Sequence, residues 1–205
     1  AEFAVDYVRI IDLGEDASVG EQSGDWRFPE AGWTAEDGAT AEPTDRALRV
    51  QVGEAGVISS PLMRCEVGDR FWVAVEMGAE GAHNAQLQWV CANRNGIQSR
   101  RFPVVADGRM RTYNVDMTAE EAWDGELLLL RLRPGLRDGA TAVVRRITIS
   151  TEPLGPPSIE VTFAGLENAI NRAGRRLPFI VTVTNRGGEV ADASVWFDIA
   201  DAHGT

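Results

Sequence analysis

Trp123-Asp124-Gly125-Glu126-Leu127-Leu128-Leu129-Leu130-Arg131-Leu132-Arg133-Pro134 is a turn feeding one long strand, and its reading decides the fold. Alternate residues of a strand face opposite ways. Leu128, Leu130 and Leu132 therefore point to one side and Leu127, Leu129, Arg131 and Arg133 to the other, so a core face lies opposite a face that turns polar toward its end. A strand this apolar is covered on both sides, which calls for packed sheets. Just before it, Thr118-Ala119-Glu120-Glu121 has the capping-box spacing, in which the Thr118 hydroxyl accepts from the Glu121 amide and the Glu121 carboxylate from the Thr118 amide. That spacing predicts a single helical turn ending near Trp123.

The 205 residues suffice for one large domain, or one domain and part of another, and a hydrophobic content of 44% supports a core without covalent staples. A net charge of -11 argues against a nucleic-acid partner, because tracking phosphates takes clustered positive charge. All 20 basic residues are arginine. That bias suits fork-shaped recognition of anions, although the composition of the source genome is the simpler account. Cys65 and Cys91, each near the edge of an apolar strand, are compatible with a disulfide or with two buried thiols. No apolar run is long enough to span a bilayer. With no initiator Met and no signal peptide, the chain reads as a piece of something larger.

Residues 3–12 alternate as a strand. Their texture resembles that of residues 142–149, so they are either the first strand of this domain or the last of a preceding copy. Residues 13–45 form a long irregular tract carrying Trp26, Phe28 and Trp33, whose rings are expected to pack on the sandwich and hold the tract down. From residue 46 short strands recur at all-β spacing: 46–52, 57–63, 70–77, 85–91, 99–105, 110–117, 126–133 and 142–151. Asp107-Gly108, between two alternating runs, is the strongest hairpin signal. Three prolines and a glycine within residues 151–157 mark a stiff linker. Beyond it, strands at 159–163, 179–185 and 193–199 open a second sandwich that the chain leaves incomplete. The expected division is residues 1–152, a linker at 153–158, and 159–205.

Catalytic constellations are thin. His83 and His203 have no second ligand or nucleophile at useful spacing, and Ser59 and Ser60 lack a nucleophile elbow. A binding face has more support. With Phe71, Val73, Val75 and Met77 in the core, Trp72, Ala74 and Glu76 face away; Gln86 and Gln88 oppose Leu87 and Trp89, Arg131 and Arg133 oppose the leucines, and Arg111 joins them. Trp72, Glu76, Gln86, Gln88, Arg111, Arg131 and Arg133 on one face would suit a sugar, an aromatic plane covering its C–H face and planar amides or guanidiniums bonding its hydroxyls. The same pattern equally describes a solvated face with cross-strand pairs, or an interface with a neighbouring domain.

Several segments together resemble the galactose-binding-like jelly-roll modules attached to bacterial glycoside hydrolases: Trp26-Arg-Phe28, Gly32-Trp33, Ile58-Ser-Ser-Pro61, Gln86-Leu-Gln-Trp89, Tyr113-Asn-Val-Asp116 and Leu130-Arg-Leu-Arg-Pro134. The resemblance spans residues 15–151. It implies a non-catalytic carbohydrate-binding accessory module of a secreted protein, with a polysaccharide or oligosaccharide as partner, often with a structural calcium between the loop near the first strand and the last strand. Here Val144-Arg-Arg146 stands where such modules place an Asp, and Asp6 is the analogous carboxylate, which tells against calcium. Where the family motif ends Arg-Leu-Asp-Pro, this chain has Arg131-Leu-Arg-Pro134. Residues 159–200, with Val181-Thr-Val-Thr-Asn-Arg-Gly187, resemble the opening strands of bacterial immunoglobulin-like adhesion or spacer domains. The expected whole is an all-β jelly roll followed by a partial immunoglobulin-like sandwich, extracellular or periplasmic, dimerising through the apolar strands of its cut end. The rival reading is a structural spacer with no glycan affinity.

Overall fold

The computed structural model describes residues 23–156, 159–164, 180–185 and 187–188. The strands expected at 3–12 and 193–199 lie outside the described residues. Fourteen strands follow in chain order: β1 (Asp25–Arg27), β2 (Thr34–Glu36), β3 (Thr40–Pro43), β4 (Leu48–Gln51), β5 (Val57–Ser59), β6 (Cys65–Glu66), β7 (Trp72–Glu80), β8 (Asn84–Cys91), β9 (Gln98–Pro103), β10 (Arg111–Asp116), β11 (Glu126–Arg133), β12 (Thr141–Ser150), β13 (Ile159–Ala164) and β14 (Ile180–Asn185).

The first twelve make two antiparallel six-stranded sheets. The first sheet runs β10-β7-β12-β4-β3, with β1 against the second half of β12; the second runs β2-β5-β11-β8-β9, with β6 against the start of β11. From β7 to β12 the chain passes between sheets repeatedly, which is the winding of a jelly roll. The third sheet is the antiparallel pair β13-β14, in register from Ile159 opposite Asn185 to Ala164 opposite Ile180.

Period-2 alternation fills the space between the two large sheets. Val73, Val75 and Met77 of β7 and Val144, Ile147 and Ile149 of β12 meet Leu87 and Trp89 of β8 and Leu130 and Leu132 of β11. Trp123 is buried beneath the end of this layer, edge-on to Trp89 at 5.7 Å, a geometry worth about 0.5–1.5 kcal/mol beyond burial. Both indole N–H groups find backbone acceptors, Trp123 on Arg70 at 2.9 Å and Trp89 on Ala122 at 3.1 Å. The aromatics of the early tract behave as expected: Trp26, Phe28 and Trp33 are buried, with Trp33 edge-on to both others.

Four local expectations are corrected. A β-bulge between Leu127 and Leu129 resets the parity of β11, so Leu127 joins Leu130 and Leu132 in the core and Leu128 is only half-buried. The capping box does not form. Asp116 accepts from the Thr118 amide at 2.9 Å and from its hydroxyl at 2.7 Å, an Asx turn that takes the groups the box required, and no helix occurs among the described residues. Asp107-Gly108 turns the chain, but β9 pairs with β8 and β10 with β7, so the turn crosses between sheets instead of closing a hairpin. Finally, the tract before residue 46 contains β1, β2 and β3. Asp37 (φ 54°) and Gly38 (φ 86°), closed by the Ala39 amide on the Glu36 carbonyl at 3.0 Å, form the tight turn that carries β2 into β3.

Cys65 and Cys91 are free and buried. They flank Leu127 from β6 and β8 on either side of β11. Two strand spacings of about 4.8 Å keep them beyond the roughly 7 Å limit of a disulfide. Burial raises both thiol pKa values, and Arg70 opposes this at Cys65.

Candidate functional site

The second sheet's outer face brings four of the seven expected residues together. In register across it lie Thr34, Ser59, Arg131, Gln88 and Ser99; one step along, Arg133, Gln86 and Arg101 sit side by side. Arg131 is 7% exposed. Its Nε donates to Ser59 Oγ at 3.0 Å, one terminal nitrogen to Gln88 Oε1 at 3.2 Å, and the other to Glu36 Oε2 at 3.2 Å and to the Asp37 carboxylate. A guanidinium so deeply placed is tolerable only when its donors are met this fully. Arg131 is thus a frame for the face, tying β2 and its turn to the sheet centre. It also fixes the Gln88 carboxamide with Oε1 toward the guanidinium and NH2 away from it. Gln86 and Gln88 are half-buried, Ser99 and Arg101 exposed. Arg133, also half-buried, donates to the Glu54 carbonyl.

The other three do not join them. Trp72 and Glu76 project from β7 on the outer face of the first sheet, on the far side of the sandwich, where Glu76 accepts from Arg145 at 2.6 Å. Arg111 lies opposite Met77 and so has core parity. Its side chain reaches Asp107 with an N–O distance of 2.8 Å, while the Arg109 amide donates to the same carboxylate at 3.0 Å. The Arg111 hydrogen bond, followed by the Arg109 amide, holds the Asp107 carboxyl far below the usual carboxylate range. The single seven-residue face is therefore corrected to two opposite faces and an edge clamp. Parity says which residues point away from the core, but a sandwich has two such sides.

Sequence reasoning missed two features. Glu36 and Asp37, the carboxylate partners of Arg131, were signalled by the Asp37-Gly38 pair. The second is a cleft of about 230 Å³ between the edge strands β9 and β10, where Tyr113 and Phe102 face each other at 6.2 Å beside Arg100, Arg101, Asn114 and Asp116. The Tyr113 hydroxyl accepts from the Val105 amide at 3.2 Å, and Arg100 bonds Glu120 at 2.7 Å. Arg101 belongs to both this cleft and the second sheet's outer face.

The calcium implied by the resemblance would sit between the loop near the first strand and the last strand of the jelly roll. Between β1 and β12, Asp25 is held in bidentate fashion by Arg146, Nε to Oδ1 at 2.6 Å and a terminal nitrogen to Oδ2 at 2.8 Å, with Thr148 Oγ1 at 3.2 Å. The Arg146 hydrogen bond, against burial, lowers the Asp25 pKa. The Asp25 carboxylate already carries a cation, the Arg146 guanidinium. Among the described residues no three His, Cys, Asp or Glu side chains gather to hold a metal. Asp6 lies outside the described residues.

The fold defines an all-β sandwich of the jelly-roll class. No protein-family model matches the chain, and no curated protein matches it. Among solved structures it is similar to family 29 carbohydrate-binding modules. One single-residue variant shares 12% identity, covering 63% of this chain and 91% of that one, with a TM-score of 0.45. A structure of a family 29 module shows 13% identity, coverage of 65% and 83%, and a TM-score of 0.42. A further variant, in complex with cellulohexaose, shows 13% identity, coverage of 65% and 85%, and a TM-score of 0.43.

Proposed function

We propose that this chain is a non-catalytic carbohydrate-binding module of a secreted bacterial protein that acts on or adheres to polysaccharide, and that its ligand meets the outer face of the second sheet. One observation carries the reading: Gln86 and Gln88 on β8, Ser99 and Arg101 on β9 and Arg133 on β11 place amide, hydroxyl and guanidinium groups side by side around the buried Arg131. Planar groups held in fixed pairs suit the vicinal hydroxyls of a sugar. Cellulohexaose and mannohexaose, bound by family 29 variants, are the first ligands to try. Affinity electrophoresis through gels containing soluble polysaccharides tests the reading. Retardation that disappears when Gln86 and Gln88 are both changed to Ala supports it.

The rival is a structural spacer. It is favoured by the saturation of Arg131 and by the linker's bonds to the first sheet, described below. Wild-type protein that no polysaccharide retards would establish that rival over the first reading. The same proposal assigns no calcium, so a chelator should leave the melting temperature unchanged. It also places the chain at the cell surface or in the periplasm, on the resemblance of residues 159–200 to adhesion domains, and has it self-associate through them. Purely monomeric sedimentation at all concentrations would remove that last part.

A further inference from the structure

Asn114, in the middle of β10, is buried on the outer face of the first sheet. Its carboxamide makes two bonds to one linker residue: Nδ2 donates to the Leu154 carbonyl and Oδ1 accepts from the Leu154 amide, each at 2.9 Å. A carboxamide that engages both backbone groups of one residue reproduces the paired exchange of an antiparallel ladder. The next residue, Gly155, has φ +82° and lies so close to Thr112 that a Cβ would stand 2.7 Å from its Oγ1. Its carbonyl accepts from the Gly188 amide at 3.0 Å. A Cβ on Gly188 would in turn collide with the Pro153 carbonyl oxygen. The linker is thus held to the sheet by the Asn114 and Thr112 side chains and to the Gly188 backbone directly, with no room for a Cβ at Gly155 or Gly188. The crevice beneath, about 270 Å³, is lined by Ala74, Glu76, Thr112, Arg146 and Thr148. Its polar walls make this a hydrogen-bonded joint, whereas proline-rich composition alone implies a spacer with no preferred face.

We propose that the outer face of the first sheet is an interaction surface whose occupant is this chain's own following unit, clasped through Asn114, Leu154, Gly155 and Gly188. The jelly roll and that unit then turn as one body, and the second sheet faces away from the junction. This stands whether or not the chain binds sugar.

Proteinase K digestion of the full chain, with cut sites located by mass spectrometry, tests it on wild type, Asn114→Ala and Gly188→Val. The second variant alters nothing in the jelly roll. Losing the paired bonds, or forcing a side chain against the linker, should speed cleavage around Leu154 by about tenfold or more. The jelly roll's melting temperature should stay unchanged in Gly188→Val. Amide relaxation should give one rotational correlation time in wild type and two in each variant. Cleavage within about twofold of wild type in both variants, or two correlation times already in wild type, would overturn the proposal.

Discussion

Arg131→Ala removes a guanidinium that is 7% exposed and meets Ser59, Gln88, Glu36 and Asp37. Breaking a fully buried ion pair costs about 3–5 kcal/mol. Here the carboxylates are partly open, with side-chain exposures of 24% for Glu36 and 45% for Asp37, so water recovers part of that loss. Ser59 has no such recourse at 1% exposure, and a stranded buried hydroxyl costs about 1–3 kcal/mol. Together these give a loss of about 2–3 kcal/mol, or roughly 4–12 °C in Tm. Urea unfolding followed by the fluorescence of the buried Trp89 and Trp123 reads it as a shift in midpoint at unchanged slope. Glu36→Gln and Asp37→Asn should each cost less than about 1 kcal/mol, since each leaves Arg131 its other partners. A loss below about 0.5 kcal/mol for Arg131→Ala, the level of an ordinary surface change, would refute the assignment of Arg131 as the frame of the face.

Trp33→Ala should cost about 3 kcal/mol, the lower end for a buried Trp; because the Trp33 indole N–H is buried without a partner, Trp33→Phe should cost clearly less, and denaturation of the pair checks both. Asp25 has a folded pKa below its unfolded value because Arg146 bonds its carboxylate, so its stability contribution is present above the unfolded pKa and lost as pH falls through the folded one. The stability gap between wild type and Asp25→Asn should therefore be flat from about pH 5 to 8 and narrow below about pH 4; a gap that widened in acid would reverse the sign. Cys65 and Cys91, buried with raised pKa values, should resist a thiol reagent in the native state and titrate as two thiols only on unfolding.

Alternation along β11 made Leu130 and Leu132 legible as core and Arg131 as outward, because each needs only its neighbours' pattern. Leu127 and Leu128 were not legible: the bulge that swaps them is decided by the paired strand β8 and has no local mark. Asp107-Gly108 identified a turn correctly, but which strands pair afterwards depends on residues far away, and β7 and β8 outcompete the local hairpin. The site suffered from the same missing information. Gln86, Gln88, Arg131 and Arg133 fell together because β8 and β11 are neighbours, whereas Trp72 and Glu76, with equally good parity, belong to the other sheet. Asp37-Gly38 was the readable signal left unused, hidden in a tract whose glycine and acid content resembled a loop.

In the proposed function the second sheet's outer face meets a sugar. Amide chemical-shift mapping during titration with an oligosaccharide that the gel assay retains tests it most directly. Shifts concentrated at Gln86, Gln88, Ser99, Arg101 and Arg133, with Trp72, Glu76 and Asn114 unmoved, are the predicted result. Shifts confined to the first sheet, or none at saturating ligand, would contradict it.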